Sequence, residues 1–371
     1  MNRVAIDYTP AYEQGGGIGR YVRELVAALA RQPAQFDYRL FVSGARRLPS
    51  APGTNFTWKP TRLSPRTLAR VWQRARLPLP VEWFTGAVDL YHATDFVLPP
   101  TRARSLLTVH DLSFVRVPEA ASPHLKAYLD VVVPRSVHRA DHILADSQAT
   151  KDDLIALYDT PAEKITVLLC GVDARFHHVD DPAIREKYKI PPRPYIFSVG
   201  TVQPRKNYAR LIQALAALRS RAYDVDLVIA GGRGWLEDPI HAAIRDTNME
   251  DHIHLIGFAD DADLPALYSA ALITAVPSLY EGFGIPVLES MACGTPVVTS
   301  NVSSLPEVAG DAALTVDPTD LDAIGDALQR IIDDGALRAD LSARGMSRAR
   351  EFTWARSVQQ LQQIYARMIA S

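Results

Sequence analysis

The sequence has little cysteine, no long apolar run and almost no net charge, and each absence excludes a class of protein. Its two cysteines, Cys170 and Cys293, lie far apart in apolar stretches, so we expect buried free thiols in a reducing compartment. No run approaches the roughly 20 apolar residues that span a bilayer, and the start, MNRVAIDYTP, lacks the pattern of a signal peptide. The net charge of −2 provides no general attraction to nucleic acid. We therefore expect a cytoplasmic protein.

One segment lacks acidic residues altogether, so its local charge differs from that of the whole chain. No carboxylate occurs between Asp37 and Glu82. The nine basic residues in this interval are Arg39, Arg46, Arg47, Lys59, Arg62, Arg66, Arg70, Arg74 and Arg76. The part LSPRTLARVWQRARLPLP also carries the apolar residues Leu68, Val71, Trp72 and Leu77. Such a segment, residues 38–81, could contact an anionic bilayer peripherally at the inner membrane face. The alternative is a basic helix that faces only water.

Short apolar runs alternate with helical patterns along the whole chain. The predicted strands are 3–7, 39–43, 89–93, 106–111, 142–147 and 165–171, followed by 195–200, 226–232, 253–257, 272–278, 296–300 and 313–316. Most are continuous apolar runs, which are typical of parallel strands covered by helices. The repeated strand–helix order predicts an α/β fold with two doubly wound, Rossmann-like domains. A hydrophobic content of 47% in 371 residues is enough for two cores.

The boundary between the two domains is predicted in a charged, proline-rich stretch, residues 175–195. We assign residues 1–176 to an N-terminal domain and residues 177–354 to a C-terminal domain. The last segment, 355–371, has the pattern of an amphipathic helix. It either packs back on the first domain or stays with the second.

The segment SLYEGFGIPVLESMACG, which starts at residue 278, places two glutamates on either side of a glycine-containing bend. A helix is predicted directly after the bend, and its first amides and dipole favour a phosphate there. Gly282 and Gly284 would let a ligand approach the backbone closely. Eight positions give an offset of about 80° on a continuous helix, so Glu281 and Glu289 should contact different parts of one elongated ligand. The alternatives are an exposed helical Glu289 and an ordinary helix-start carboxylate at Glu281.

A second motif, FSVGTVQPRKNYARLIQAL, carries two adjacent cations after a predicted strand that ends near Gly200. Arg205 and Lys206 lie beyond the carboxyl end of that strand, where doubly wound sheets bind ligands. The arginine fork and the lysine point charge can together hold a diphosphate. Exposed Arg-Lys pairs are common, and that remains the alternative.

Two further motifs lie in the first half of the chain. The segment YEQGGGIGRYVREL opens a helix with glycines at 15, 16, 17 and 19, which suits a phosphate loop but departs from the G-x-G-x-x-G dinucleotide spacing. His110 and Asp111 lie at the carboxyl end of a predicted strand. A buried structural histidine is the alternative to a site residue at this position.

No metal site is predicted. Asp224 and Asp226 have the D-x-D form but lie at the amino end of a parallel strand, which is the wrong end for the ligand crevice. Asp261 and Asp263 belong to a cluster at a helix start, and no His/Cys group has zinc spacing.

Taken together, these motifs resemble those of the retaining glycosyltransferases of family 4, which have the GT-B fold. The resemblance covers nearly the whole chain. Its motifs are the two glutamates Glu281 and Glu289 in E-x7-E spacing, VGTVQPRKN from residue 199, GGIGRY near the start, TVHDL at 108–112 and ADHILADSQATKDDL at 140–154. Within the family, the chain looks most like bacterial mannosyltransferases of surface-polysaccharide assembly.

The resemblance implies a nucleotide-sugar donor bound mainly by the C-terminal domain and a saccharide or lipid-linked saccharide acceptor bound mainly by the N-terminal one. It implies no cofactor and no metal, and GDP-mannose is the expected donor, with UDP-hexoses next. For the diphosphate, the implied contacts are Arg205, Lys206, Gly16 and Gly17. Glu289 is implied to contact the ribose, and Glu281 and His110 the donor sugar. Gly257 and Phe258 are implied to contact the base. Gly200 and the helix start, Gly282, Phe283 and Gly284, complete the implied donor site. The alternatives are a GT-B-type nucleotide-sugar isomerase or phosphorylase, and a non-catalytic nucleotide-sugar sensor.

Overall fold

A computed structural model describes residues 1–371, and the chain divides into two compact units. The first unit comprises Met1–Leu112, Ala127–Gly171 and Thr353–Ser371, and the second comprises Ser113–Lys126 and Val172–Phe352. The sequence placed the boundary at residues 176/177, whereas the contacts divide the chain between Gly171 and Val172. The chain then returns to the first unit for its last helix.

Both units are built from parallel strands joined by helices. The strands are β1 Arg3–Asp7, β2 Asp37–Ser43, β3 Phe56–Thr61, β4 Leu90–Ala93, β5 Arg104–Val109, β6 His142–Ala145, β7 Ile165–Val167, β8 Tyr195–Val199, β9 Asp226–Ala230, β10 Ile253–Gly257, β11 Ile273–Val276, β12 Val297–Ser300 and β13 Leu314–Val316. The helices are α1 Thr9–Glu13, α2 Gly17–Ala30, α3 Pro65–Ala69, α4 Glu82–Thr85, α5 Ser113–Arg116, α6 Pro123–Arg139, α7 Gln148–Tyr158, α8 Ala183–Lys187, α9 Tyr208–Ser220, α10 Asp238–Asp246, α11 Leu264–Ser269, α12 Ile285–Ala292, α13 Leu305–Ala309, α14 Leu321–Asp333, α15 Gly335–Ala349 and α16 Trp354–Ala370.

The first unit holds a seven-stranded sheet in the order β3-β2-β1-β4-β5-β6-β7, and every neighbouring pair is parallel. The strand order reverses between β1 and β4. Loops that leave the carboxyl ends of these two strands therefore run to opposite sides, which opens a crevice at that point.

The second unit repeats this plan with six parallel strands in the order β10-β9-β8-β11-β12-β13. Its reversal lies between β8 and β11. Continuous apolar strands are buried on both faces, as in β9, where all five residues are buried. Two doubly wound α/β units are thus present, which confirms the predicted fold class.

All twelve predicted strands are present, but a thirteenth was missed. The missed strand is β3, Phe56–Thr61, which contains Pro60 and polar residues and lies at the edge of its sheet, where proline is tolerated. The predicted strand at 165–171 was too long, because β7 ends at Val167. The basic segment 38–81 contains most of β2, all of β3, and α3, which continues directly into a π-helical turn, Arg70–Arg74.

The C-terminal helix α16 packs on the first unit, where it contacts α2 and β4. Its apolar stripe includes Leu361, Ile364 and Tyr365, all fully or almost fully buried. The Tyr365 hydroxyl also forms a 2.7 Å hydrogen bond with Nδ1 of the buried His92. The structure thus selects the first of the two alternatives left open by the sequence.

Both cysteines are buried and free, as predicted. Among the helices of this chain, none combines the length and the apolar character required to cross a membrane.

Candidate functional site

Two loops flank the strand reversal of the second unit. Residues 200–207 follow β8 and residues 277–284 follow β11. The loops are joined directly, because the Leu279 amide donates to the Arg205 carbonyl at 2.8 Å. This is the position at which an open parallel sheet binds its ligand.

Three predicted site residues, Arg205, Lys206 and Glu281, meet between these loops. The Glu281 carboxylate accepts from Arg205 Nη1 at 2.9 Å on one oxygen and from Lys206 Nζ at 2.6 Å on the other. Ser278 Oγ also donates to the second oxygen at 2.6 Å, and Arg205 Nη1 donates to the Tyr280 carbonyl at 2.6 Å. The two adjacent cations therefore converge on one carboxylate instead of facing only solvent.

Burial and charge act in opposite directions on Glu281, whose residue is 7% exposed. Burial raises its pKa, but the neighbouring Lys206 and Arg205 charges and their hydrogen bonds outweigh burial and lower the pKa to about 2. The carboxylate is therefore ionised at neutral pH. Since both of its oxygens are bonded to cations, the group behaves as a fixed counter-charge.

The backbone at Gly200 makes room for the lysine. Gly200 has φ +149°, and a Cβ at this position would lie 2.7 Å from Lys206 Cε. A side chain here would displace the lysine arm from Glu281. The glycine thus belongs to the site through its lack of a side chain.

Helix α12 begins where the sequence predicts, at Ile285, after Gly284 with φ +112°. A Cβ at Gly284 would also lie 2.9 Å from Leu305 Cδ2, so only glycine suits this cap. The amides of Phe283, Gly284 and Ile285 donate no hydrogen bond within the chain. Unbonded amides at a helix start next to a glycine bend form a place for an anion.

Glu289 lies in α12 but does not join the cluster around Glu281. Its side chain is buried, at 1% exposure, and its Oε2 accepts from the Tyr268 hydroxyl at 2.8 Å. The alternative of an exposed helical glutamate is therefore wrong. The two glutamates occupy different surroundings, which agrees with the predicted separation of their contacts.

At the edge of the second sheet, β10 ends in Gly257, which has φ +71°. The Gly231 amide donates to its carbonyl at 2.8 Å. The next residue, Phe258, is 58% exposed, which is unusual for a phenylalanine. An exposed ring beside a bare backbone can stack on a planar base.

The first unit places its glycine loop before α2, on the carboxyl side of β1. A Cβ added at Gly16 or Gly17 would meet nothing within 4 Å, whereas one at Gly19 would lie 2.0 Å from the Gln14 carbonyl oxygen. Gly19 is therefore required by the packing of the chain itself. Gly16 and Gly17 instead leave an open surface over the helix start, which a ligand could approach.

His110 follows β5 in the first unit and is 7% exposed. Its Nδ1 lies 2.7 Å from Asp146 Oδ2, and its Nε2 lies 2.8 Å from the Thr94 carbonyl oxygen. Burial lowers the pKa of the ring, but Asp146, together with Asp95 and the Thr94 carbonyl, outweighs this and raises it to about 9. The ring is thus a buried cation that donates from both nitrogens, and it has no free nitrogen with which to act as a base.

Sequence reasoning missed the residues that hold the predicted ones in place. Asp146 follows β6, the strand next to β5, so strand adjacency is a signal that could have found it. No pattern in the sequence identifies Ser278 and Tyr268 as partners of the two glutamates. Their hydrogen bonds to Glu281 and Glu289 depend on the directions of their side chains in the folded chain.

The two D-x-D pairs have other partners. Asp226 accepts from His252 and His254 at 3.0 Å each, at the amino end of β9. Asp263 accepts from Lys187 and Tyr188. No group of three or more His, Cys, Asp or Glu residues in the chain is arranged to hold a metal ion.

Two family models match the two halves of the chain. Residues 15–176 match the model for Glycosyltransferase Family 4, and residues 180–348 match the model for glycosyl transferases group 1. The chain is 37% identical over 272 residues to O-antigen chain mannosyltransferase B of Escherichia coli, and the alignment covers 71% of both proteins.

Solved structures agree on the fold. The chain is similar to sucrose-phosphate synthase from Thermosynechococcus elongatus, with a TM-score of 0.79 and 23% identity over 100% of both chains. It is also similar to Anabaena HepE in complex with UDP and glucose, with a TM-score of 0.76 and 19% identity over 99% of both. At such identities the likeness shows the GT-B fold alone. The family models and the 37% identical mannosyltransferase show that this chain belongs to glycosyltransferase family 4.

Proposed function

We propose that this glycosyltransferase transfers a hexose, with retention and without a metal ion, from a nucleotide sugar to a saccharide or lipid-linked saccharide acceptor. Mannose from GDP-mannose is the preferred donor in this proposal, because the similar Escherichia coli protein is named a mannosyltransferase. UDP-hexoses are the second choice, since HepE was solved with UDP and glucose.

The observation that carries the proposal is the convergence of two cations on one buried carboxylate at the strand reversal. Arg205 and Lys206 are held within hydrogen-bonding distance of Glu281 next to the unbonded amides at the start of α12. When a sugar–diphosphate bond breaks, negative charge grows on the leaving phosphate. Cations and amides that are already fixed there stabilise that charge without first having to reorganise.

Retention requires that the acceptor oxygen arrive on the face of the sugar from which the diphosphate leaves. In the proposed reaction, the bond between the anomeric carbon and the diphosphate oxygen breaks and the bond to the acceptor oxygen forms. The proton of the acceptor hydroxyl goes to the leaving diphosphate. Glu281 is unsuited to act as a nucleophile, because both of its oxygens are bonded to cations.

The other predicted residues have supporting roles in this proposal. Phe258 offers its exposed ring to the base, and Gly16 and Gly17 offer open backbone to the diphosphate. His110 supplies a fixed positive charge near the sugar rather than a base. Glu289 binds the ribose, which requires a hydroxyl to join or replace its bond with Tyr268.

The basic segment 38–81 supports a peripheral contact with an anionic membrane as part of this function. Arg66, Arg70 and Arg74, from α3 and the π-helical turn, are exposed. A lipid-linked acceptor would be presented at such a surface.

The decisive experiment compares wild type with the double variant Arg205→Ala, Lys206→Ala, using GDP-mannose and UDP-hexoses with saccharide acceptors. We expect kcat/KM of the variant to fall by at least about 10²-fold. The control, Lys187→Ala with Lys189→Ala, removes two exposed lysines of the same unit and should retain activity. NMR of the product reports the anomeric configuration.

Two results would contradict the proposal. Full activity of the Arg205→Ala, Lys206→Ala variant would exclude the diphosphate contact. Complete loss of wild-type activity with a chelator, restored by a divalent ion, would exclude metal independence.

A further inference from the structure

A cavity of about 820 Å³ opens in the first unit at the end opposite to its glycine loop. Its walls come from the π-helical turn and the chain that leads from it to α4, from the chain just before β5, and from the end of α6, just before β6. The lining includes Trp72, Arg76, Arg102, Arg135, His138 and Arg139. Gly16, Gly17 and His110 instead follow or flank the carboxyl ends of strands. The cavity is therefore separate from the site described above.

The charge of this cavity is of one sign. Four arginines and a histidine line it, and no aspartate or glutamate does. The side chains of Arg76, Arg102 and Arg135 form no hydrogen bond and no ion pair within the chain. The carboxylate of Glu82, close in sequence, is used by Thr101 Oγ1 and by the amides of residues 102 and 103. Glu82 contacts two lining residues but supplies one negative charge against four arginines, so the cavity keeps an excess of positive charge.

The walls of the cavity are firmly held. Four of the lining residues are prolines. Arg139 donates to the Leu98 and Pro99 carbonyls, and Gln73 Nε2 donates to the Leu98 carbonyl at 3.2 Å. Arg76 has φ +53°, a left-handed conformation that costs energy in a residue with a side chain. The arginines therefore extend from a backbone that is braced by prolines and by side-chain hydrogen bonds.

Apolar side chains are exposed beside this cationic cavity. Leu77, next to Arg76, is 46% exposed, and Trp83, in α4, is 66% exposed. Val131 is 44% exposed and lies one helical turn before Arg135 on the same face of α6. An exposed tryptophan and exposed aliphatic side chains around a basic site are typical of a surface that contacts a bilayer.

We propose that this cavity binds the phosphate of an anionic membrane lipid, with Arg76, Arg102 and Arg135 as its ligands. Arginine forks match phosphate oxygens in pairs, and the exposed Trp83 and Leu77 contact the lipid around the bound headgroup. Only Arg76 belongs to the basic segment 38–81; the others come from two distant parts of the chain. The site therefore goes beyond both the transfer reaction and a diffuse attraction of that segment to the membrane.

The test measures binding of the full-length protein to phosphatidylcholine vesicles with and without phosphatidic acid. The cavity variant is Arg76→Gln with Arg135→Gln. Its matched control is Arg47→Gln with Arg62→Gln, which removes two exposed arginines of the basic segment outside the cavity. Diffuse attraction predicts equal losses of affinity for the two variants. A phosphate held in the cavity predicts a loss at least about tenfold larger for the cavity variant.

A second arm separates a lipid from a soluble ligand. Glycerol 3-phosphate should compete for the cavity only weakly, because it has no contact with Trp83 or Leu77. The blue shift of tryptophan fluorescence on vesicle binding should shrink in Trp83→Phe. Donor-dependent transfer to a soluble acceptor is measured for every variant. A loss of lipid binding can therefore be told apart from a loss of the proposed transfer activity.

Three outcomes would overturn the proposal. One is no binding to phosphatidic acid vesicles, and another is equal losses in the cavity and control variants. The third is that glycerol 3-phosphate binds the wild type as tightly as the vesicles do, which would assign the cavity to a soluble phosphate ester.

Discussion

At the scale of single residues, Glu281 determines the electrostatics of the site in the second unit. Its single negative charge offsets one of the two positive charges of Arg205 and Lys206, the side chains proposed to hold a diphosphate. A bound diphosphate must therefore share or replace these bonds. The carboxylate holds the two cations in position when no substrate is bound, and it limits how strongly they attract an anion.

We expect Glu281→Gln to lower the free energy of unfolding by about 3 kcal/mol, because it leaves two largely buried cations without their counter-charge. GDP should restore more stability to this variant than to wild type, since the diphosphate supplies the missing negative charge. Urea unfolding with and without GDP measures both effects. The control, Glu186→Gln, removes an exposed carboxylate and should change neither. Equal stabilisation of both proteins by GDP would show that the diphosphate binds elsewhere.

The first unit contains a residue whose protonation should affect stability. Because the pKa of His110 is raised from 6.5 to about 9, its stabilising effect is complete below pH 6.5 and is lost as the pH rises through about 9. Wild type should therefore lose up to about 3 kcal/mol over that interval relative to Asp146→Asn. Denaturation at a series of pH values tests this, and parallel curves for the two proteins would contradict it.

These residues also show how far a sequence predicts a site. Arg205, Lys206 and Glu281 stood out by their position after strands, and the structure places them together. Their pairing did not follow from the sequence, because the cations and the carboxylate are 75 and 76 residues apart. The burial of Glu289 could not be predicted from the sequence either, since its partner Tyr268 lies in another helix.

At the scale of elements, the start of α12 combines a rare backbone conformation with unbonded amides. The sequence predicted this helix start because proline fixes φ in the first turn and glycine permits the bend before it. Strand β3 was missed for the opposite reason. It is a polar edge strand with Pro60, and its pairing with β2 comes from the sheet and not from its own residues.

We expect Gly284→Ala to destabilise the protein by about 1–3 kcal/mol, because alanine is strained at φ +112° and its Cβ would press on Leu305. GDP affinity should fall as well, since the amides of α12 would shift. The same substitution at Gly325, which has open space inside α14, should be neutral or slightly stabilising. Urea unfolding and calorimetric GDP titration measure the two effects. Unchanged GDP affinity in a folded Gly284→Ala variant would exclude these amides from the site.

At the scale of the whole molecule, the chain order is nested: most of the second unit, Val172–Phe352, is inserted between Gly171 and Thr353 of the first, and the short segment Ser113–Lys126 also belongs to it. Helix α16 completes the packing around α2 and β4, and Ser357 Oγ donates to the Leu169 carbonyl at 2.6 Å. Amphipathic periodicity predicted this helix but not its partner. Both units have apolar surface on which such a helix could pack. Only the folded chain shows that α16 packs on the first unit.

We expect Leu361→Ala in α16 to cost about 2–5 kcal/mol, because the side chain is fully buried. Hydrogen exchange should accelerate in α2 and β4, which contact α16, and remain unchanged in α9 and β9 of the second unit. The exposed neighbour substitution Gln363→Ala serves as the control. Uniform acceleration through both units would show that they do not unfold separately.

The nested order also bears on how the chain folds during translation. When the ribosome has completed β7, the side chains that α16 covers still lack their partner, and Val172–Phe352 of the second unit must be synthesised first. At about 5–20 residues per second, that wait lasts on the order of ten to forty seconds. The nascent first unit presents apolar surface throughout this time, while the second unit is free to fold. An expressed fragment of the first unit therefore needs α16 joined to it.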